Sequence, residues 1–203
     1  MWKLITKNIK MKTLIKLFII ISIYSFSSCS AQTTASLQQM EDCRKRPNKS
    51  EDCPGMENVI YVKDIGNRLN KFIGTWKGTS NGKSYELKLE KKENFGNNEV
   101  KWDKLIGKLK IKDNQGNILF DSFQNSEADA EPYGYNFQGS AYEMRFSTNN
   151  NCGDHGTIFL EIKSIVINGD KMRMFYYPSS GLANNNSICP DLLPLDWTEF
   201  TKQ

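Results

Sequence analysis

Histidine is nearly absent: His155 stands alone in 203 residues. Zinc centres of the usual type draw on several His and Cys ligands, and no Cys-x-x-Cys pair stands in for them, so the sequence presents no metal site. There is no Gly-x-Ser-x-Gly elbow and no glycine-rich loop to cradle a phosphate. A His155-based triad would need an orienting acid. The neighbouring Asp154 is adjacent in sequence, and adjacent residues on a strand point to opposite faces. No catalytic residue is assigned, and the expectation is a non-enzymatic protein without cofactor. The acids Glu127, Asp129 and Glu131 alternate in "EADAEP" and are possible calcium ligands, but the spacing lacks the Gly and terminal Glu of an EF-hand loop. A solvated acidic loop is the commoner meaning of such a stretch.

No apolar run reaches the roughly 20 residues that a membrane-spanning helix needs. The longest is Leu17–Tyr24, inside "MKTLIKLFIIISIYSFSSCSAQ", which starts at Met11. Basic Lys12 and Lys16, a short apolar core and small residues after it form the pattern of a secretory signal, with Met11 as the expected start. "FSSC", Phe26–Cys29, resembles a bacterial lipobox, which makes Cys29 the lipidation candidate and residues 1–29 the leader. The alternative is an ordinary small-x-small cleavage before Gln32 and a soluble secreted form. The expected address is therefore the periplasm or outer membrane, with the membrane reached through the N-terminal lipid. "SAQTT" after Cys29 lacks the acidic cluster that some envelopes use to send lipoproteins outward, which favours the periplasmic side.

An excess of positive charge is missing once the leader is set aside. The whole chain carries +4, but five of its lysines lie in residues 1–29, and 22 basic residues then face 23 acidic ones. A near-neutral chain offers nucleic acid no electrostatic foothold. Beyond Cys29 four cysteines remain, Cys43, Cys53, Cys152 and Cys189, an even number that reads as disulfides in an oxidising compartment. Cys43–Cys53 closes a short local loop and leaves Cys152–Cys189 as the second bridge.

Residues 30–58 are polar and aperiodic and read as a tether around the first disulfide; residues 59–203 read as one domain. "DIGNRLNKF" predicts a helical turn with Leu69 and Phe72 inward. From Gly74 on, strands alternate with turns. Asn81-Gly82 is a type I′ hairpin signal, and Tyr85, Leu87 and Leu89 share one face of the next strand. Further strands are expected over Lys104–Lys112, with a bend or bulge at Gly107, and over Ile118–Ser122, Tyr135–Ala141, Tyr142–Thr148, Thr157–Val166, Lys171–Tyr177 and Asp196–Lys202. Tyr135–Thr148 also reads as a single strand bent at Gly139. About eight strands without intervening helices predict an all-β fold, an antiparallel barrel or a more open sandwich.

"KFIGTW", Lys71–Trp76, after a helical turn and opening the first strand, resembles the lipocalin signature, in which a Gly-x-Trp begins strand one and the Trp plugs the closed end of an eight-stranded barrel. The likeness covers Lys71, Phe72, Gly74, Trp76 and Thr79 and departs at Lys77. That family's Arg over the Trp has no direct counterpart in "DWTEFTK"; Lys202 or Arg173 are the substitutes available. The chain is also similar to small uncharacterised exported proteins of Gram-negative bacteria that share the "FIGTWKG" start, which carry no known activity. The lipocalin resemblance implies a barrel binding a small apolar or amphipathic ligand, lined by Trp76, Tyr85, Leu87, Leu89, Tyr142, Met144, Phe146, Met172 and Met174. The alternative is a barrel filled by those side chains, serving as a structural or protein-interaction module of the envelope.

Overall fold

The computed structural model describes residues 33–45, 53, 58–96, 99–148, 155–164, 170–179 and 192–203. The elements in order are β1 (Thr33–Ser36), α1 (Leu37–Lys45), β2 (Val59–Lys63), a 3-10 turn (Asn70–Phe72), β3 (Gly74–Ser80), β4 (Lys83–Phe95), β5 (Lys101–Lys112), β6 (Ile118–Asp121), β7 (Tyr133–Gln138), β8 (Ala141–Ser147), β9 (His155–Ser164), β10 (Lys171–Pro178) and β11 (Thr198–Lys202). Strands β5-β4-β3-β11-β10-β9-β8-β7 are neighbours in that order, and β7 pairs back onto β5, closing an eight-stranded antiparallel barrel. The open sandwich is thereby set aside. A closed up-and-down barrel leaves no long unpaired edge, which is the physical advantage of the architecture.

The β3–β4 hairpin turns at Asn81 and Gly82, both at positive φ, as the I′ geometry requires. Period-two alternation then places Trp76 against Leu87 and Gly78 against Tyr85. Residues 133–147 form two strands: Gln138 pairs with Ala141 around a turn with Gly139 at φ 64, so the bent-strand alternative is replaced by a hairpin.

The barrel closes at a thin seam. Ladder pairing between β5 and β7 is limited to Ile106 opposite Tyr133. Two further bonds seal it: the Gly107 N–H donates to the Pro132 carbonyl at 2.7 Å, and the Leu105 N–H donates to the Tyr142 hydroxyl at 3.2 Å. A Cβ on Gly107 would lie 2.9 Å from the Pro132 ring. Gly107 thus serves close approach at the seam, not the bulge expected of it; the β4–β5 register runs through it without a shift. Strand β6 pairs only with β5 and is not one of the eight barrel strands.

Residues 33–45, expected to be aperiodic, form β1 and α1. Ser36 opens α1 with a reciprocal capping box: the Gln39 N–H donates to Ser36 Oγ at 3.0 Å and the Ser36 N–H to Gln39 Oε1 at 2.8 Å. Strand β1 runs parallel to β2, and β2 runs parallel to the start of β5. The Cys43–Cys53 bridge ties the end of α1 with a Cα separation of 5.3 Å. Cys152 and Cys189, and with them the second expected bridge, lie outside the described residues.

Candidate functional site

The interior is where the sequence placed its site, and all nine lining candidates are buried there. Trp76, Leu87, Tyr142, Met144, Met172 and Met174 are fully inaccessible, and Tyr85, Leu89 and Phe146 nearly so. They belong to one apolar cluster together with Phe72, Leu109, Ile111, Phe137, Ile158, Leu160 and Phe200. Rings fill the space between them: Phe137 and Tyr142 are 4.9 Å apart, Phe72 and Tyr142 5.9 Å, Tyr85 and Phe200 6.0 Å, Phe146 and Tyr176 6.0 Å. Burial pushes the Tyr85 phenol up to about 12 and raises the Tyr142 phenol further.

One end is closed by the turn before β3. Buried Asp64 accepts the N–H groups of Arg68 (2.8 Å) and Leu69 (3.0 Å), and so bends the chain into the 3-10 turn that inserts Leu69 and Phe72. The Trp76 indole N–H donates to the Phe72 carbonyl at 2.7 Å, locking the plug to β3. The Lys202 ammonium lies 5.4 Å from the Trp76 ring, so Lys202 takes the place over the Trp; Arg173 points elsewhere, to Trp197. Gly74 is required here, since a Cβ would meet Lys202 Cε at 2.7 Å on a backbone at φ 133. Helix α1 covers the same end. Arg44 forks onto Glu143 at 2.8 Å, and Arg68 stacks on the Phe137 ring at 3.8 Å. Burial alone would raise the Glu41 carboxyl, yet Lys45, Arg68 and the Gly139 amide together hold it below its ordinary value.

The other end is stopped by residues the sequence reading passed over. Leu192 and Leu193 are buried in the same core, held by the Tyr176 N–H donating to the Pro194 carbonyl at 2.9 Å. Phe120 of β6 packs edge-on against Phe146 at 5.3 Å. The apolar pair in "DLLPL" immediately before the last strand was the available signal for the first of these stoppers.

Two depressions lie outside this interior. One of about 720 Å³ sits under the 121–131 loop, bordered by Phe120, Asp129, Glu131, Tyr133 and Ser147. Another of about 500 Å³ lies over β3–β5, with Lys77, Glu86 and Lys110 at its border. The possible calcium ligands separate: Glu127 pairs with Lys92, Asp129 accepts from Ser126 Oγ at 2.7 Å, and Glu131 accepts from Ser147 Oγ at 2.7 Å. No metal-holding group of three or more His, Cys, Asp or Glu occurs among the described residues. Burial raises the Glu131 carboxyl, against the pull of its two bonds from Ser147 and the His155 charge. Exposed His155 stands opposite Ser147 in the β8–β9 ladder, but the Ser147 hydroxyl is given to Glu131. Asp154 lies outside the described residues.

On the outer wall, Phe159 pairs with Phe175 across β9 and β10. Their rings stack with centroids 5.9 Å apart, and Phe175 meets Trp197 at 5.5 Å. Trp197 also takes the Arg173 guanidinium at 4.3 Å and remains 44 % exposed. Tyr177, at 61 %, follows on β10. Sequence reading missed this row because outward aromatics on a strand carry the same period-two pattern as polar residues.

Neither the curated proteins nor the solved structures contain a match to the chain. A family model does match, over residues 11–188, and the chain therefore belongs to DUF6705, a family of unknown function.

Proposed function

We propose that the protein is an exported, lipid-anchored, non-enzymatic interaction module of the cell envelope, built on a lipocalin-like barrel whose outer surface makes the contacts. The observation that carries this reading is the filled interior: the residues that would line a ligand cavity pack against each other, and the barrel is stopped by Phe72 at one end and by Leu192 and Leu193 at the other. A pocket for a small ligand needs a volume of about 300 Å³ or more. Opening one here would mean moving several aromatic rings out of contact, at about 1.5–3 kcal/mol for each large side chain exposed. Export is supported by the signal-like leader and by the Cys43–Cys53 bridge, which suits an oxidising compartment. The Gly74-x-Trp76 start, the 3-10 turn before it and Lys202 over the indole support the lipocalin-like assignment.

The carrier reading keeps one point in its favour, the three interior methionines Met144, Met172 and Met174, whose flexible side chains adapt to a guest. Native mass spectrometry of protein purified from the organism that encodes it separates the two. A spectrum at the mass of the processed chain alone is the expected result. A stoichiometric apolar adduct, displaced by denaturation, would establish the carrier instead.

A further inference from the structure

We propose that the surface of residues 60–71 is the membrane-contact face, on which the barrel stands, plugged end down, against the leaflet that holds its lipid. This names the membrane-facing side of the module and rests on the lipid anchor proposed above for Cys29.

The tether is short. Residues 30–58 read as a polar linker in the sequence, yet Thr33–Lys45 is taken up by β1 and α1. Ser30, Ala31 and Gln32 are all that separates Cys29 from β1. The steps from Cys29 to Thr33 reach at most about 14 Å even when fully extended. A lipid on Cys29 therefore holds the start of β1 within about that distance of the headgroups. Strands β1 and β2 run parallel, with Thr33 opposite Val59 and Ser36 opposite Lys63, so β2 starts at the same end. Strand β2 is in turn parallel to the start of β5 at Lys101 and Trp102. The 12 residues of β5 then lead away over about 35–40 Å. They finish at Lys112 opposite Ser84, beside the Asn81-Gly82 turn. That far end also carries β6, where Ile118 pairs with Lys112.

The stretch that leaves the tethered end, β2 and the turn into the plug, has a surface suited to a headgroup layer. Ile60 is 42 % exposed and Ile65 64 %. Lys63 and Lys71 are exposed and have no acidic partner among the described residues. The one acid between Val59 and Phe72 is Asp64, which is buried and accepts the Arg68 and Leu69 N–H groups. Glu93 on the neighbouring β4 is offset by Lys91 at 3.9 Å. Apolar side chains that enter the interface and lysines that meet anionic headgroups are what a peripheral membrane contact requires. Each lysine near an anionic surface favours contact by about fivefold. A second copy of the chain fits less well, because a two-fold interface would set Lys63 and Lys71 against a surface of the same sign.

The test uses the full-length protein, processed in the cell, purified in detergent and returned to vesicles of phosphatidylethanolamine and phosphatidylglycerol. The photoreactive residue p-benzoylphenylalanine replaces Ile65 or, for comparison, Ile118. Both positions are exposed, at 64 % and 58 %, so neither replacement disturbs the core. Light should give lipid adducts from position 65, and those from position 118 should stay at background. A second form carries about twenty Gly and Ser residues between Gln32 and Thr33, a linker of about 25 Å r.m.s. span that frees the barrel to turn. Such a linker keeps the face at millimolar effective concentration, so adducts from position 65 should persist. In that form Lys63→Glu with Lys71→Glu should cut them by about tenfold. Adducts from position 118 equal to those from 65 would overturn the orientation. Loss of the position-65 adducts on lengthening alone would show a contact forced by the tether, and crosslinks from 65 between two copies would give the face to self-association; either overturns the contact surface. A mature chain whose mass shows no acyl groups would overturn the anchor itself, and the membrane face with it. The mass of the chain is read before photolysis, so the two failures are distinguishable.

Discussion

Replacing Trp76 by Phe removes one hydrogen bond and part of one ring from the most enclosed point of the barrel. The indole is fully inaccessible, and its N–H is the partner of the Phe72 carbonyl at 2.7 Å. Leaving that carbonyl buried without its donor costs about 1–3 kcal/mol. The smaller ring leaves a void whose lining relaxes only partly, adding about 1–2 kcal/mol by comparison with full Trp truncations. The sum, about 2–5 kcal/mol, is a large share of the 5–15 kcal/mol by which domains are usually stable. In urea, with a slope of about 1–3 kcal/mol per molar, the unfolding midpoint should fall by at least about 0.7 M with the slope unchanged. Lys202→Met supplies the comparison. It deletes the cation over the indole and the 3.4 Å pair with Asp170 but keeps the apolar stem beside Gly74, and should cost about 0.5–1 kcal/mol. A Trp76→Phe midpoint within about 0.3 M of wild type would refute the view that the 3-10 plug hangs on this bond, as would a Lys202→Met loss as large as that of Trp76→Phe.

Reduction of Cys43–Cys53, which closes a ring with a sequence separation of 10, should loosen α1 before the barrel. The chain-entropy model assigns such a ring about 2–3 kcal/mol, so hydrogen exchange should speed up across Leu37–Lys45 while the β4 and β9 amides stay protected; uniform loss of protection would count against it. Glu131 gives a pH signature. Its folded carboxyl is raised by burial, so the folded state binds more protons than the unfolded one between the ordinary carboxylate value and the raised one, and stability from this group is lost as pH rises through that window. Glu131→Gln should therefore gain on wild type with rising pH there and run parallel above it; a constant difference across the window would exclude the shift. Cys29→Ser should move the protein from the membrane to the soluble fraction, since two acyl chains anchor firmly where one holds marginally. A wild-type protein already soluble and beginning at Gln32 would show that no lipid is attached.

Much of the fold was legible because strands state their burial every second residue. Tyr85, Leu87 and Leu89 could be assigned inward from "YELKL" alone, as could Met172 and Met174 from "KMRMF", and all are inside. Asn81-Gly82 named its own turn, since few other pairs accept positive φ twice. The capping box of α1 was also present in "SLQQ", but a short polar helix without apolar periodicity is stabilised by its docking, here through Arg44 on Glu143, 99 residues away, and Glu41 on Arg68, and docking partners that far along the chain leave no local trace.

What the sequence determined by itself is therefore which residues face inward, where the chain turns, and that the inward set is apolar enough to form a core. Closure was decided only by the tertiary structure. It depends on β5 meeting β7 at Ile106 and Tyr133, on Gly107 admitting Pro132, and on Gly134 leaving room for the Tyr142 hydroxyl that bonds Leu105 across the seam. The same holds for whether the barrel is hollow. Period-two alternation reports the direction of a side chain and not the radius of the space it enters. Only the packing of Phe72, Leu192 and Leu193 at the two ends, contributed by segments outside the barrel strands, turned a possible cavity into a filled core.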